Sequence, residues 1–165
     1  MKRKVAIYPG SFDPFTNGHI NIIERSVRVF DKVIVAVAHN VSKKTTFTIE
    51  ERVEIIREIF RNRPEVKVDY FQGLLVEYAR KMGTNILLRG MRTVSDFEYE
   101  LQMALSNKTL YPEIETIFMV TEGAYSYISS SLIKEIITLG GSAKEMIPEI
   151  VEKKLKEKLV GKQEV

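Results

Sequence analysis

The stretch "YPGSFDPFTNGH", residues 8–19, follows the apolar run Val5-Ala6-Ile7. A strand that empties into a glycine-containing turn and then a helix is a common way to hold phosphate. The first N–H groups of a helix have no intrahelical partner, and they point outward from its end. This turn has neither the G-x-G-x-x-G spacing of a dinucleotide fold nor the G-x-x-x-x-G-K-[ST] of a P-loop. If it holds an anion, other residues must supply the donors, and a histidine, His19, stands at the helix start.

Outward from this turn, short runs rich in Val and Ile alternate with amphipathic stretches. Strands are predicted at 4–8, 32–38, 66–70, 85–89 and 115–120, mostly apolar on both faces, as buried parallel strands read. Ile20, Ile23, Val27 and Phe30 share one helical face. So do Val53, Ile56 and Phe60, and later Phe97, Leu101, Ala104 and Leu105. Thr48 followed by Glu51 reads as a capping box, and Pro64 closes that helix unit. Phe97 and Met103 are expected in the core. Gly140-Gly141 ends the last core helix, and a charged amphipathic tail helix is expected over about 148–160, with Ile150, Val151, Leu155 and Leu159 as its apolar stripe. Repeated strand–helix alternation with right-handed crossovers predicts an α/β fold: a single doubly wound, five-stranded parallel sheet with a C-terminal helix. No linker divides the chain, so one domain over 1–165 is expected.

The composition narrows the function. A 44% hydrophobic and 28% charged chain is ordinary for a globular protein, and no window has the apolar length of a membrane span. "MKRKVAIYPG" lacks a signal-peptide core, and zero cysteines exclude thiolate catalysis and suit a reducing cytosol, so a cytoplasmic protein is expected. A net charge of +3 suits an anionic small molecule. With no dense basic block, neither nucleic acid nor membrane is expected as a partner.

In an open α/β sheet, ligands bind beyond the carboxyl ends of the strands, where strand order reverses. The residues after each predicted strand are therefore the candidates. His19 opposes the helix dipole if charged, so its placement favours function over stability, whereas His39 has no comparable context. Asp13-Pro14 reads as a structural turn in which the acid satisfies local N–H groups. Ser11 either caps that turn or donates to a phosphate. Of Lys43-Lys44, one lysine is expected to reach an anion. Arg89 ends the apolar run Ile86-Leu87-Leu88, and burying its guanidinium demands an anionic partner. At least one of Arg89 and Arg92 is assigned to phosphate, with Asp96 or Glu98 as a structural partner for the other. "YSYISSSLIKE", residues 125–135, offers a second helix start rich in N–H and O–H groups.

Together these elements resemble a known family. "TNGH" fits the T/H-x-G-H signature of the nucleotidyltransferase superfamily, and "YISSSLIKE" fits its second signature, I-S-S-S/T. Along nearly the whole chain, "YPGSFDPFTNGHINII", "SKKTTFTIEERV", "LLRGMRTVSDFEYELQMALSNKTL" and "ISSSLIKEI" resemble the bacterial phosphopantetheine adenylyltransferases. The resemblance implies a Rossmann-like nucleotidyltransferase fold. It also implies the reaction of ATP with 4′-phosphopantetheine to dephospho-coenzyme A and pyrophosphate, with Mg²⁺, feedback inhibition by coenzyme A, and a homohexamer.

By the same resemblance, His19, Lys43 and Arg92 are the catalytic set. ATP would be held by Ser11, Phe12, His19, Gly90, Met91, Arg92, Glu100, Tyr125, Ser126, Tyr127, Ile128, Ser129, Ser130 and Ser131. The acceptor would be held by Ser11, Lys43, Leu75 and Arg89. The chain departs from the family pattern at Ser11, often Thr, at Tyr125, Trp in some members, and at Gly73-Leu74-Leu75, which replaces a more polar loop. Lys134 stands where the wider superfamily often has Arg, and no role is assigned to it.

The chemistry agrees with the residues. On that resemblance the attacking group would be a phosphate, anionic near neutral pH, which needs no general base, and no acid–base dyad stands at the strand ends. No carboxylate cluster is ready to cage a metal, so Mg²⁺ is expected to arrive on the triphosphate. The nearest rival is nucleotidyl transfer to another acceptor, such as nicotinamide mononucleotide or glycerol phosphate. A non-catalytic nucleotide sensor is a rival from another class. A dinucleotide fold is disfavoured because strand two ends Val37-Ala38-His39, without an acid for a ribose hydroxyl.

Overall fold

A computed structural model of the chain describes residues 3–39 and 44–161. Five parallel strands form its sheet: β1 (Val5–Gly10), β2 (Lys32–Ala38), β3 (Val66–Phe71), β4 (Ile86–Met91) and β5 (Glu115–Val120). The helices are α1 (Asn17–Ser26), α2 (Ile49–Ile59), α3 (Leu75–Met82), α4 (Val94–Leu110), α5 (Ser130–Thr138) and α6 (Glu149–Leu159). The strand order is β3-β2-β1-β4-β5. The chain runs outward from β1 to β3, then crosses back to β4 on the other side, so the order reverses between β1 and β4.

Both faces of the sheet are covered, which is why its strands read as unbroken apolar runs. The period of two distributes them. Ala6, Tyr8, Val33, Val35, Val37 and Leu88 pack with Ile22, Ile23, Val53, Ile56 and Phe60 of the α1/α2 side. Ile7, Ile34, Ala36 and Leu87 pack with Val76, Tyr78 and Ala79 of α3 on the other. A third cluster joins α5 and α6 to Phe47 and Ile55, and Val151 and Leu155 of the tail helix are fully buried in it. The tail thus packs on its own chain.

Three strands run further than the sequence predicts, β3 by the single residue Phe71, paired with Ala38. Pro9 and Gly10 continue β1 against Ala36 and Val37, while Gly90 and Met91 continue β4 against Met119 and Val120. Arg89 and Gly90 therefore stand on the sheet itself, with only Arg92 beyond it. Three of the helices start with capping boxes: Thr16/His19, Thr48/Glu51 and Thr93/Asp96. Only the second follows the S/T-x-x-E/Q pattern that sequence reading looks for.

The expectation that Phe97 and Met103 lie in the core is wrong for the single chain. They are 40% and 41% exposed, and Leu101, Leu105 and Leu110 are exposed with them. Of α4, only Glu100 is buried. Periodicity announces an apolar face but does not say what covers it. Among the described residues no helix is long and apolar enough to cross a membrane.

Candidate active site

A cavity of about 390 Å³ opens where strand order reverses, at the ends of β1 and β4. Its walls are Tyr8 to Phe12 from β1 and its turn, Thr16, Gly18, His19 and Ile22 from α1, Arg89, Gly90, Arg92, Asp96 and Glu100 from β4 and α4, and Thr121 and Ile128 to Ser131 from the approach to α5. The size is that of a small-molecule site.

The turn after β1 is packed tightly. Phe12 is buried with φ 50°, a left-handed conformation uncommon for a bulky side chain. Its ring lies so close to Gly10 that a Cβ there would come within 2.8 Å of it, so Gly10 is needed for that approach. Strain of this kind is kept where packing over-determines it. Here Tyr8, Phe15 and His19 surround the Phe12 ring at centroid distances of 5.0–5.5 Å.

His19 is held by its own helix. The Thr16 backbone N–H donates to His19 Nδ1 at 3.0 Å, and the His19 N–H donates back to Thr16 Oγ1 at 3.3 Å. A backbone N–H can only donate, so Nδ1 is the unprotonated nitrogen and Nε2 carries the proton. Burial, with Arg92 and Arg89 nearby, pushes the imidazole pKa from 6.5 down to about 3. The sequence reading of a cation opposing the dipole is therefore corrected: His19 is neutral and completes the cap. Neither ring nitrogen has a free lone pair, which excludes His19 as a general base or nucleophile. What it offers the cavity is an Nε2–H donor.

The first turn of α1 is otherwise nearly satisfied. Asn17 N–H donates to Met146 O at 2.8 Å and Ile20 N–H to Thr16 O at 3.1 Å, leaving Gly18 N–H without a partner among the described residues. A Cβ on Gly18 would meet nothing closer than 3.5 Å, so the protein's own packing does not require glycine there. Gly18→Ala is expected to leave the melting temperature within about 2 °C of the parent while raising the KM for nucleotide at least tenfold, because the methyl shields the one open N–H. A thermal melt beside steady-state kinetics checks this. The opposite wall repeats the design. Ser129 caps α5 by accepting from Leu132 N–H at 3.2 Å, and Ser130 and Ser131 N–H have no partner among the described residues. Ser130 Oγ donates to Pro14 O at 3.3 Å, which joins the two helix starts.

Arg89 and Arg92 each carry an acidic partner. Arg89 Nε and Nη2 donate to the two carboxylate oxygens of Glu100, both at 2.6 Å, and Nη1 donates to Pro9 O at 2.7 Å. Three of its five N–H groups are used, which leaves two for a ligand. Arg92 Nη1 donates to Ile128 O at 2.6 Å, and its Nε and backbone N–H donate to Asp96. Asp96 was foreseen as a structural partner. Both arginines have an acidic partner, not one of them: Asp96 rather than Glu98 pairs with Arg92, and Glu100, one helical turn beyond Asp96, reaches Arg89.

Asp13 is corrected in detail. It does not satisfy its own turn. Its carboxylate accepts from the N–H groups of Thr46 and Phe47, both at 2.9 Å, and pairs with Lys134 at 2.6 Å. Lys134 thereby gains the role left open by the sequence. Arg52, buried on α2, donates to Ser11 O at 2.6 Å and holds the turn from behind. Nothing in the ordinary charged helix "EERVEIIREI" signals that contact.

Of the predicted site residues, Ser11, Phe12, His19, Arg89, Gly90, Arg92, Glu100, Ile128, Ser129, Ser130 and Ser131 meet in the cavity. Met91, Tyr125, Ser126 and Tyr127 do not line it. Leu75 lines a smaller hollow of about 60 Å³ behind the Arg89–Glu100 pair, with Tyr99, Met103 and Asn107. Lys43 lies outside the described residues. Tyr8 lines the cavity unforeseen; Asp96, expected only as an arginine's structural partner, lines it too, and Thr16, Gly18 and Thr121 complete that wall. The spacing of a threonine and a polar side chain three residues on would have found Thr16 and Asp96.

Against this geometry, a family model described as cytidylyltransferase-like matches residues 7–136. The chain is 56% identical over 155 residues to the phosphopantetheine adenylyltransferase of Caldanaerobacter subterraneus subsp. tengcongensis, covering 94% of this chain and 97% of that protein. It is 53% identical to that of Desulforudis audaxviator, covering 94% and 95%. The chain belongs to the phosphopantetheine adenylyltransferase family. Among solved structures, Plasmodium falciparum nicotinic acid mononucleotide adenylyltransferase complexed with NaAD has a TM-score of 0.65 at 14% identity, covering 93% of this chain and 95% of that one. Identity so low carries the fold alone. In this member of the family the cavity combines two helix N-termini with two arginines, each anchored by a carboxylate.

Proposed function

We propose that this chain, as a single catalytic domain, transfers the adenylyl group of ATP to 4′-phosphopantetheine, giving dephospho-coenzyme A and pyrophosphate in the cytoplasm. The observation that carries the mechanism is the Thr16 N–H···Nδ1 bond, which leaves His19 as a neutral Nε2–H donor. With no free lone pair on His19, the acceptor phosphate attacks the α-phosphorus directly. The new P–O bond forms as the bond to pyrophosphate breaks, with no covalent enzyme intermediate. Catalysis is then positioning and charge stabilisation by fixed donors.

Gly18 N–H, the open N–H groups of Ser130 and Ser131, His19 Nε2–H and Arg92 receive the nucleotide's phosphates. Ser11, Phe12, Gly90, Met91 and the segment from Tyr125 to Ser131 are assigned to ATP, and Glu100 serves it by aiming Arg89. The two spare N–H groups of Arg89, with Lys43 and Ser11, hold the acceptor's phosphate. The hollow by Leu75, Tyr99, Met103 and Asn107 offers apolar walls and an amide to the pantetheine arm. The cavity's two carboxylates, Asp96 and Glu100, are both engaged by arginines, so Mg²⁺ enters as part of the MgATP substrate. Coenzyme A shares the arm and the adenosine, and so competes for the same site.

The exposed apolar residues of α4, together with Ile117 and Val120 of the edge strand β5, support assembly with further copies as the homohexamer of the family. Light scattering gives the mass; a monomer of 19.0 kDa at micromolar concentration refutes the assembly. The reaction is tested by pyrophosphate release from MgATP with 4′-phosphopantetheine, beside wells holding nicotinamide mononucleotide and glycerol 3-phosphate. Release with phosphopantetheine alone, and dephospho-coenzyme A by mass, is the expected result. Release with another acceptor overturns the assignments of Lys43 and Arg89.

The protonation of His19 gives a stability prediction. Its pKa is about 3 in the folded chain against 6.5 ordinarily, so between these values the unfolded chain binds the extra proton. Stability therefore falls as pH drops below 6.5. Glu51 and Glu152, whose pKa values are lowered by hydrogen bonds to Lys158 and Ser142 respectively, add their losses only below their ordinary 4.5. Urea midpoints at pH 7.5, 6.5, 5.5 and 4.5 should decline for the parent and decline less for His19→Gln.

A further inference from the structure

Tyr8 stands on β1, two residues before Gly10, and is a cavity residue whose polar group the mechanism above leaves unused. The side chain is only 5% exposed, and the little surface it keeps opens into the cavity. Its ring is fixed edge-on to Phe12 at 5.5 Å and lies 6.4 Å from the His19 ring. The hydroxyl stands over Gly90, 3.3 Å from where a Cβ would be, so glycine keeps the space beneath it open. It makes no hydrogen bond among the described residues. The hydroxyl is not shut away from the cavity: no buried side-chain oxygen or nitrogen among the described residues lacks a partner. It therefore faces the space a ligand would fill, where a phenylalanine would offer no donor.

We infer that the Tyr8 hydroxyl is a further substrate-contacting group, donating a hydrogen bond to a non-bridging oxygen of the α-phosphoryl group during transfer. The placement carries this reading. Tyr8 shares the cavity wall with Arg89, assigned to the acceptor, and its ring lies 6.4 Å from that of His19, assigned to the nucleotide, and the phosphorus in transit must lie where the two substrates meet. The group is a donor, not a base: burial raises the phenol above its ordinary pKa of 10, so the O–H stays protonated throughout. No proton is transferred.

The inference rests on the adenylyl-transfer reading and is tested with Tyr8→Phe, which removes one oxygen atom and leaves the ring packing in place. Its melting temperature should stay within about 2 °C of the parent's, since the ring packing is unchanged. Its kcat with MgATP should fall about 10- to 100-fold, within the range seen when one preorganised donor is lost. The same comparison is made with the Rp and Sp diastereomers of ATPαS, whose sulfur replaces one α-oxygen or the other. The diastereomer with sulfur at the contacted oxygen has already lost most of that bond, so Tyr8→Phe should slow it at least fivefold less than ATP. A kcat within twofold of the parent overturns the inference. So does an equal loss with ATP and both diastereomers, which shows that the hydroxyl does not touch the α-phosphoryl group. Should the parent turn over a different acceptor, the comparison is run with that one, since the α-phosphoryl group is common to all. A parent silent with every acceptor removes the adenylyl-transfer reading, and this inference with it.

Discussion

His19→Ala is expected to lower kcat by about 100- to 1,000-fold while the dissociation constant for ATP moves less than about fivefold. On the proposed assignment the triphosphate meets Gly18 N–H, the α5 N-terminus and Arg92, so the neutral Nε2–H should add little to its binding. It matters when charge accumulates on the α-phosphoryl oxygens, because a fixed donor in a partly closed site needs no reorganisation at that moment. The substitution also removes a cap partner, which by itself costs about 1 kcal/mol. His19→Gln separates the two effects. A glutamine three residues after the cap can accept from Thr16 N–H as the imidazole does, so stability should return while kcat stays at least 30-fold below the parent. Steady-state kinetics, calorimetric ATP binding and urea denaturation on the three proteins decide it. Equal losses in kcat and in ATP affinity would place His19 in ground-state binding.

Arg89→Ala is the change with the largest combined effect. It leaves the Glu100 carboxylate, 8% exposed, without its bidentate partner and facing an anion site. Removing one partner of a buried pair typically costs 3–5 kcal/mol. About 3 is expected here, because Arg89 keeps some contact with solvent. Acceptor KM should rise at least 100-fold, since both spare N–H groups go and the orphaned carboxylate repels the incoming phosphate. The double variant Arg89→Met with Glu100→Leu removes both charges together. Its urea midpoint should recover to near the parent's while its activity does not. If the single variant unfolds at the parent's midpoint, the pair does not hold the sheet end. If the double variant keeps the parent's acceptor KM, Arg89 does not bind the acceptor.

Much of the site was legible because local rules specify it. Thr48 and Glu51 satisfy a helix start by themselves, and the apolar runs could only be strands covered on both faces. The positions after β1 and β5 were found because parallel strands deliver their loops to one edge. Other parts depended on distant partners. Asp13 was read correctly as structural, but its N–H donors sit at Thr46 and Phe47, more than 30 residues away. The α4 stripe was seen, but not that its own chain leaves it uncovered. Tyr8 looked like one more strand residue until Gly90 came to lie beneath its hydroxyl.

The sequence by itself determined the parallel α/β sheet, the two helix starts at its ligand edge that are proposed to hold anions and, through its family motifs, the class of reaction. These follow from periodicity, capping and spacing, which act over a few residues. The tertiary structure alone decided that His19 is neutral with its proton on Nε2, that Arg89 belongs first to Glu100, and that Asp13 answers to Lys134. Protonation state and ion pairing depend on burial and on charges within a few ångströms, and these are set only when segments far apart in the chain are brought together.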